Sequence, residues 1–190
     1  MNKRQRLRID VTPRPQAKIS QYTYVYIAPT DNCGFGLFTV RDIAAGDIAL
    51  QVYEPAYYAG ARPHAQLRLS GYTHADIFQV GPDLFIPPYG GLDDFTNHSC
   101  RPNCGLRAGP TGFLMIALRD IGAGEELTYD YSTHQEHPQE DMICHCGAVG
   151  CRGVVRSFST LPQALRRRYL DLGVVATFIA EAEGGAPSAA

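Results

Sequence analysis

A chain of 190 residues, 45% hydrophobic and 19% charged, has the length of one globular domain with appendages. That composition excludes wholesale disorder, and the length removes any need for disulfide staples. A formal charge of −2 does not by itself mark a nucleic-acid binder.

The charge is uneven along the chain. Residues 1–20 carry Lys3, Arg4, Arg6, Arg8, Arg14 and Lys18 against Asp10, a net +5 that leaves −7 on the remainder. An acidic body suits a cationic partner. The basic arm ahead of it reads as an extended, solvated terminus. Both lysines of the chain lie in this arm. The arm contains no apolar signal core, and no later apolar run is long enough to cross a membrane. The expectation is an intracellular, reducing location, where clustered cysteines bind metal or react more often than they pair.

From Gln21 the pattern turns to strand, with Tyr22, Tyr24 and Tyr26 alternating with Thr23, Val25 and Ile27. Further short strands are expected over Gly36–Val40, Ile48–Tyr53, Asp76–Val80, Asp83–Ile86, Cys104–Arg107, Phe113–Arg119 and Glu126–Tyr131. Gly81-Pro82-Asp83 and Ala108–Gly112 are hairpin turns. Short strands spaced by such turns argue a mainly β fold rather than alternating βαβ units. Arg41–Asp47 recurs 78 residues later as Arg119–Glu125 with five identities in seven, a candidate structural repeat. Near the end, Ser159 or Thr160 can cap a helix with Pro162 in its first turn. Leu161, Leu165, Tyr169, Leu172 and Ile179 follow at helical spacing, and Gly173 breaks or bends the helix. The run Arg166–Arg168 reads as a solvated face, and the last residues as a tail.

Three segments are chemically loaded. Cys33-Gly34-Phe35-Gly36 lets the backbone turn tightly beside a ligand, although a plain β-turn fits it equally. Asn97-His98-Ser99-Cys100 and Asn103-Cys104 pack polar groups between apolar strands. Cys144-x-Cys146-x4-Cys151 supplies three thiolates from one loop. Zinc wants four ligands, and Cys100 is the natural fourth; a pair of disulfides is the alternative.

In this order, Gly34-Phe35-Gly36, Asn97-His98-Ser99-Cys100, Glu126–Tyr131 and Cys-x-Cys-x4-Cys resemble the SET-domain protein-lysine methyltransferases. The resemblance runs from Tyr22 to Gly153. It implies several small β-sheets, a pseudoknot between the Asn-His-Ser and C-terminal Tyr segments, a zinc-binding post-SET loop and a C-terminal helix. The implied division is a basic arm (1–20), a SET domain (21–133), a post-SET zinc segment (134–155), a helical segment (156–182) and a tail (183–190). The cofactor would be S-adenosyl-L-methionine, held by Gly34, Phe35, Gly36, the Asn97 side chain, the His98 backbone and Tyr131. Tyr131 matches the catalytic tyrosine. Tyr129 matches the position that limits the number of methyls added, and its hydroxyl implies mainly monomethylation. Core packing is the plain alternative for both tyrosines. Cys100, Cys144, Cys146 and Cys151 match a Zn2+ site, leaving Cys33 and Cys104 unliganded.

Asp94 stands where many family members carry Arg, no cysteine cluster precedes the domain, and the segment between Tyr53 and Gly91 matches nothing specific. The expected partner is a lysine-containing protein, basic in character, with neither membrane nor direct nucleic-acid binding. A SET-like module that binds cofactor or a basic peptide without turnover is the alternative reading.

Overall fold

The computed structural model describes residues 24–53, 60–73, 76–109, 112–136 and 142–184. The basic arm and residues 185–190 of the tail lie outside the described residues. Strand β1 (Val25–Thr30) pairs antiparallel with β2 (Gly34–Thr39). It runs past the expected end at Ile27, because an edge strand tolerates Pro29. The connecting turn closes with Cys33 N–H donating to Thr30 Oγ1 at 3.0 Å. Gly34 takes φ +81° there, a left-handed conformation open to glycine.

Strand β3 (Ile48–Tyr53) has the expected bounds. Both expected hairpins form, β4 (Phe78–Gly81) with β5 (Leu84–Ile86), and β7 (Cys104–Gly109) with β8 (Gly112–Ala117). Strand β6, between these hairpins, is Asn97–His98. The largest sheet has the order β3-β8-β7. Its buried face, with Leu50, Leu106 and Met115, joins Leu37, Ile121 and Leu127 in the main core. A six-residue helix α1 (His64–Leu69) was not expected. One turn and a half is too short to display helical periodicity; its buried residues, His64 and Leu67, lie on the side of Phe85 and Ile77.

The repeat is real and it binds itself. Ile43 and Ile121 exchange both backbone hydrogen bonds, at 2.8 and 2.9 Å. Ala45 N–H donates to Asp120 Oδ1 at 2.9 Å, and Ala123 N–H donates to Asp42 Oδ1 at 2.8 Å. Gly46 N–H bonds Ala117 O, and Gly124 N–H bonds Thr39 O, each at 2.8 Å. Every one of these pairs maps onto its counterpart through the 78-residue offset, with donor and acceptor copies exchanged. Two copies of one turn therefore meet about a local two-fold, which sets β2 beside the segment after Glu125.

The C-terminal segment breaks at Gly173 into two helices as expected, but it starts without the expected cap. Phe158–Thr160 is a 3₁₀ turn, so Ser159 and Thr160 do not cap. Pro162 sits at the N-cap position of α2 (Gln163–Asp171), which ends before Gly173 at φ +63°, and α3 (Thr177–Ala182) follows. Phe158, Leu161, Tyr169, Val174 and Ile179 make a second core. It docks on β7 at Gly105, where an added Cβ would lie 2.7 Å from Val174. Arg167 and Arg168 are exposed as expected, whereas Arg166 is partly buried and paired to Glu183.

Candidate active site

Three segments distant in sequence converge. β6 pairs parallel with β9 (Thr128–Tyr129), setting Asn97 opposite Thr128 and His98 opposite Tyr129. Asn103, 3% exposed, ties the two together. Its Nδ2 donates to Glu126 O at 2.8 Å, and its Oδ1 accepts from Thr128 N–H at 2.9 Å. Leu127 N–H donates to Leu37 O at 2.7 Å, which brings β2 and its two glycines alongside. The strand expected over Glu126–Tyr131 shrinks to two residues. Glu126 is committed to a bridge with Phe38, and after Tyr129 the Asp130 carboxylate accepts Ser132 N–H and turns the chain into a 3₁₀ turn, Tyr131–Thr133.

Asn97 sits at the meeting point. Its Nδ2 donates to Phe35 O at 2.9 Å and to Glu126 Oε1 at 2.7 Å. Phe35 is 56% exposed, an aromatic face on the rim of this site. Gly36 leaves room for the Glu126 carboxylate: a Cβ there would lie 2.3 Å from Glu126 Oε1 and displace it.

The two tyrosine rings pack against each other at a tilt of 42°, with centroids 4.8 Å apart. Tyr131 donates its hydroxyl proton to Thr96 O at 2.8 Å. Burial, with the Cys33 and Glu126 charges, raises its pKa far above the usual phenol range. Burial does the same for Tyr129, reinforced by Tyr131, Asp93 and Asp130. Both are neutral phenols at physiological pH. Behind Tyr129 stands His134, 1% exposed, stacked on Phe78 and edge-on to Phe113 and Tyr129. Thr133 spends its hydroxyl proton on Asp130 O at 2.7 Å, so it accepts from His134 Nδ1 at 3.0 Å. Burial pulls His134 down to a pKa of about 3 and keeps it neutral. The result is a wall of uncharged rings around Tyr129.

Asp130, between the two tyrosines, is buried. Arg152 reaches it with two nitrogens at 2.8 and 2.7 Å, and Tyr169 from α2 donates at 3.2 Å. One carboxylate thus joins the tyrosine segment to the cysteine loop and to the C-terminal helix.

The cysteine loop lies between β10 (Met142–Ile143) and β11 (Val154–Val155). A tetrahedral zinc centre with Zn–S bonds of about 2.3 Å needs sulfur–sulfur separations of about 3.8 Å. Cys100 and Cys144 Sγ are 3.7 Å apart, and Cys144 and Cys151 Sγ are 3.5 Å apart. Cys146 Sγ accepts Cys100 N–H at 3.5 Å. The ligand atoms of His98, Cys100, Cys144 and Cys146 all lie within 4.8 Å of one another, so His98 competes with Cys151 for the fourth place. His98 Nδ1 accepts Tyr131 N–H at 3.1 Å. The neutral ring therefore carries its proton on Nε2 and donates toward Cys100 Sγ at 3.3 Å. Burial holds this ring neutral, with a pKa of about 4. A protonated Nε2 cannot ligate. The four thiols fit zinc, and His98 supports one of them. Cys33 is exposed; Cys104 is buried on β7, where desolvation pushes its thiol to a pKa of about 12.

The expected residues Gly34, Phe35, Gly36, Asn97, His98, Tyr129 and Tyr131 thus meet around one locus, with the cysteine cluster against its His98 side. Reading the sequence missed Glu126, Asn103, Asp130, Arg152 and His134 as parts of it. Glu126 and Asp130 lie inside the Glu126–Tyr131 motif and Arg152 follows Cys151, but adjacency does not name a partner. Asp94, in place of the family's Arg, organises its own loop by accepting the N–H groups of Tyr89, Gly90 and Gly91 at 2.6–3.1 Å.

A protein-family model described as the SET domain matches residues 34–132. Over 134 residues the chain is 34% identical to a protein of Aspergillus fumigatus and 35% identical to one of Saccharomyces cerevisiae. Both are named histone-lysine N-methyltransferase, H3 lysine-4 specific. Each match covers 63% of this chain, and the chain spans only 10% and 12% of those proteins. Among solved structures it is similar to KRYPTONITE in complex with mCHG DNA and SAH, with a TM-score of 0.53 and 23% identity. That match covers 69% of this chain and 28% of the other, and it bears on the fold alone. No helix among the described residues is long and apolar enough to cross a membrane.

Proposed function

Because the chain belongs to the SET-domain family, we propose that it transfers a methyl group from S-adenosylmethionine to a lysine side chain of a basic protein. The relatives' names point to a histone-type substrate, and the acidic body suits such a partner. With four thiols kept reduced for metal, the chain would act inside the cell.

The observation that carries the reading is the state of Tyr131. Its hydroxyl hydrogen is committed to Thr96 O at 2.8 Å, so the lone pairs of its oxygen remain for a positively charged group. When bound, the cofactor supplies an electrophilic methyl on a sulfonium. Gly34, Phe35, Gly36, Asn97 and the His98 backbone would hold it, and Tyr131 would orient the reacting centre through its oxygen. Positioning of this kind supplies much of the catalysis in an in-line displacement.

Lysine must arrive as a free amine, and at pH 7 only about four in ten thousand exposed lysines are neutral. The uncharged wall of Tyr129, His134, Phe78 and Phe113 disfavours ammonium by desolvation. The Tyr129 hydroxyl occupies space beside the amine, which favours monomethylation. Tyr129→Phe is expected to raise the share of di- and trimethyl product in an intact-mass assay; an unchanged product distribution would remove Tyr129 from that role.

Cys100, Cys144, Cys146 and Cys151 would hold one structural zinc ion and fasten the loop against β6. Metal analysis is expected to find about one zinc per chain. In the loaded protein only Cys33 should react rapidly with a thiol reagent, since Cys104 is buried. Fast titration of five thiols would contradict the site.

The proposal is tested by incubating the metal-loaded chain and labelled cofactor with histone H3 and a panel of basic proteins. Label on lysine is the expected result. Cofactor binding with no transfer to any protein would favour a binding module instead.

A further inference from the structure

Glu126 touches two parts of the site. We propose that Glu126 is the positioning residue for the amino-acid end of the cofactor, acting through Asn97; this rests on the cofactor reading given above.

The hydrogen-bond network decides the orientation of the Asn97 amide. Its nitrogen lies 2.9 Å from Phe35 O and 2.7 Å from Glu126 Oε1. A carbonyl and a carboxylate only accept. Reversing the amide would set its oxygen against both and lose two hydrogen bonds. Both amide hydrogens are therefore committed, and no described residue donates to Oδ1. What Asn97 offers a ligand is an acceptor, polarised by the anion behind it.

The cofactor's amino-acid end carries an α-ammonium, which donates, and an α-carboxylate, which accepts. Asn97 Oδ1 matches the ammonium and repels the carboxylate. Glu126 selects this orientation, because Phe35 O alone would occupy only one amide hydrogen. Gly36 belongs to the same device. Its added Cβ would stand 2.3 Å from Glu126 Oε1 and 2.7 Å from Thr30 Cγ2, so any side chain there displaces the carboxylate from Asn97. The second glycine of Gly-Phe-Gly thereby makes room for Glu126.

The test compares two probes: S-adenosylhomocysteine, which has the amino-acid end, and methylthioadenosine, which lacks it. Affinities are measured by calorimetry on the metal-loaded chain and its variants. The wild type is expected to prefer S-adenosylhomocysteine. Glu126→Ala should weaken that probe about tenfold or more, the range for a hydrogen bond to a charged group, and leave methylthioadenosine within about threefold. KM for the cofactor should rise with it, while kcat at saturation changes little. Glu126→Gln keeps an acceptor for the Asn97 amide and should restore binding to within about threefold of wild type. Should Glu126→Ala not fold, Glu126→Met, similar in length but without an acceptor, carries the same expectation.

A merely structural role would weaken both probes together, and that result overturns the proposal. So does a Gln variant as impaired as the Ala variant. Retained preference in Glu126→Ala would overturn the role of Glu126 alone. Equal affinity of the wild type for both probes would overturn the cofactor reading, and this inference with it.

Discussion

Tyr131→Phe is expected to lower kcat for methyl transfer by about a hundredfold or more, the scale of losing one preorganised polar group at a reacting centre. Cofactor affinity should stay within about threefold. The split follows from the geometry. The phenylalanine ring keeps the contacts with Tyr129 and His98, whose centroids lie 4.8 and 5.4 Å away. It removes only the hydroxyl that donates to Thr96 O and that, on the proposed reading, would face the reacting group. Folding should survive, because one carbonyl loses one hydrogen bond, about 1 kcal/mol. A comparable loss of kcat and of cofactor binding would instead mean that Tyr131 shapes the pocket rather than the reaction.

The largest effect on stability is expected at Arg152. Asp130 is 1% exposed, and its charge is compensated by the two Arg152 nitrogens, with help from Tyr169 and Ser132 N–H. Arg152→Met leaves that carboxylate buried without its cation, which costs about 3 kcal/mol or more in comparable cases. Adding Asp130→Asn to the same chain removes the stranded charge and should recover much of the loss, since the two effects are coupled. Denaturant unfolding of the metal-loaded wild type, both single variants and the double variant measures this. Additive losses would mean that the pair is not a coupled unit. The guanidinium also anchors the stretch of chain whose backbone N–H, at residue 152, donates to Cys100 Sγ at 3.4 Å, so the Arg152 variant should in addition release zinc at lower chelator concentration.

Much of this site is legible in the sequence, for a physical reason. The left-handed turn demands glycine at Gly34, where φ is +81°, and a metal site would demand thiols at fixed spacing around Cys144 and Cys151. Such requirements act on single positions and leave a visible trace. The turn pair Arg41–Asp47 and Arg119–Glu125 is legible because each copy supplies the partner of the other, so the bonding pattern is written twice. Pairing between different residues leaves no comparable trace. Nothing in the order of residues says that Asp130 meets Arg152, or that the second glycine of Gly-Phe-Gly makes room for Glu126. His98 shows the limit most clearly. Its place before Cys100 suits a ligand, and only the bond it accepts from Tyr131 N–H settles its proton on Nε2. The short helix α1 and the 3₁₀ turn at Phe158 were illegible because neither is long enough to show a period.

One measurement bears most directly on the central claim that these residues form a lysine methyltransferase site. It is mass spectrometry of a histone H3 amino-terminal peptide after incubation with S-adenosylmethionine and the metal-loaded chain, beside the Tyr131→Phe variant. A methyl group on lysine is expected with the wild type and almost none with the variant. Equal methylation by both proteins, or cofactor binding without methylation of this peptide or any other basic substrate, would contradict it.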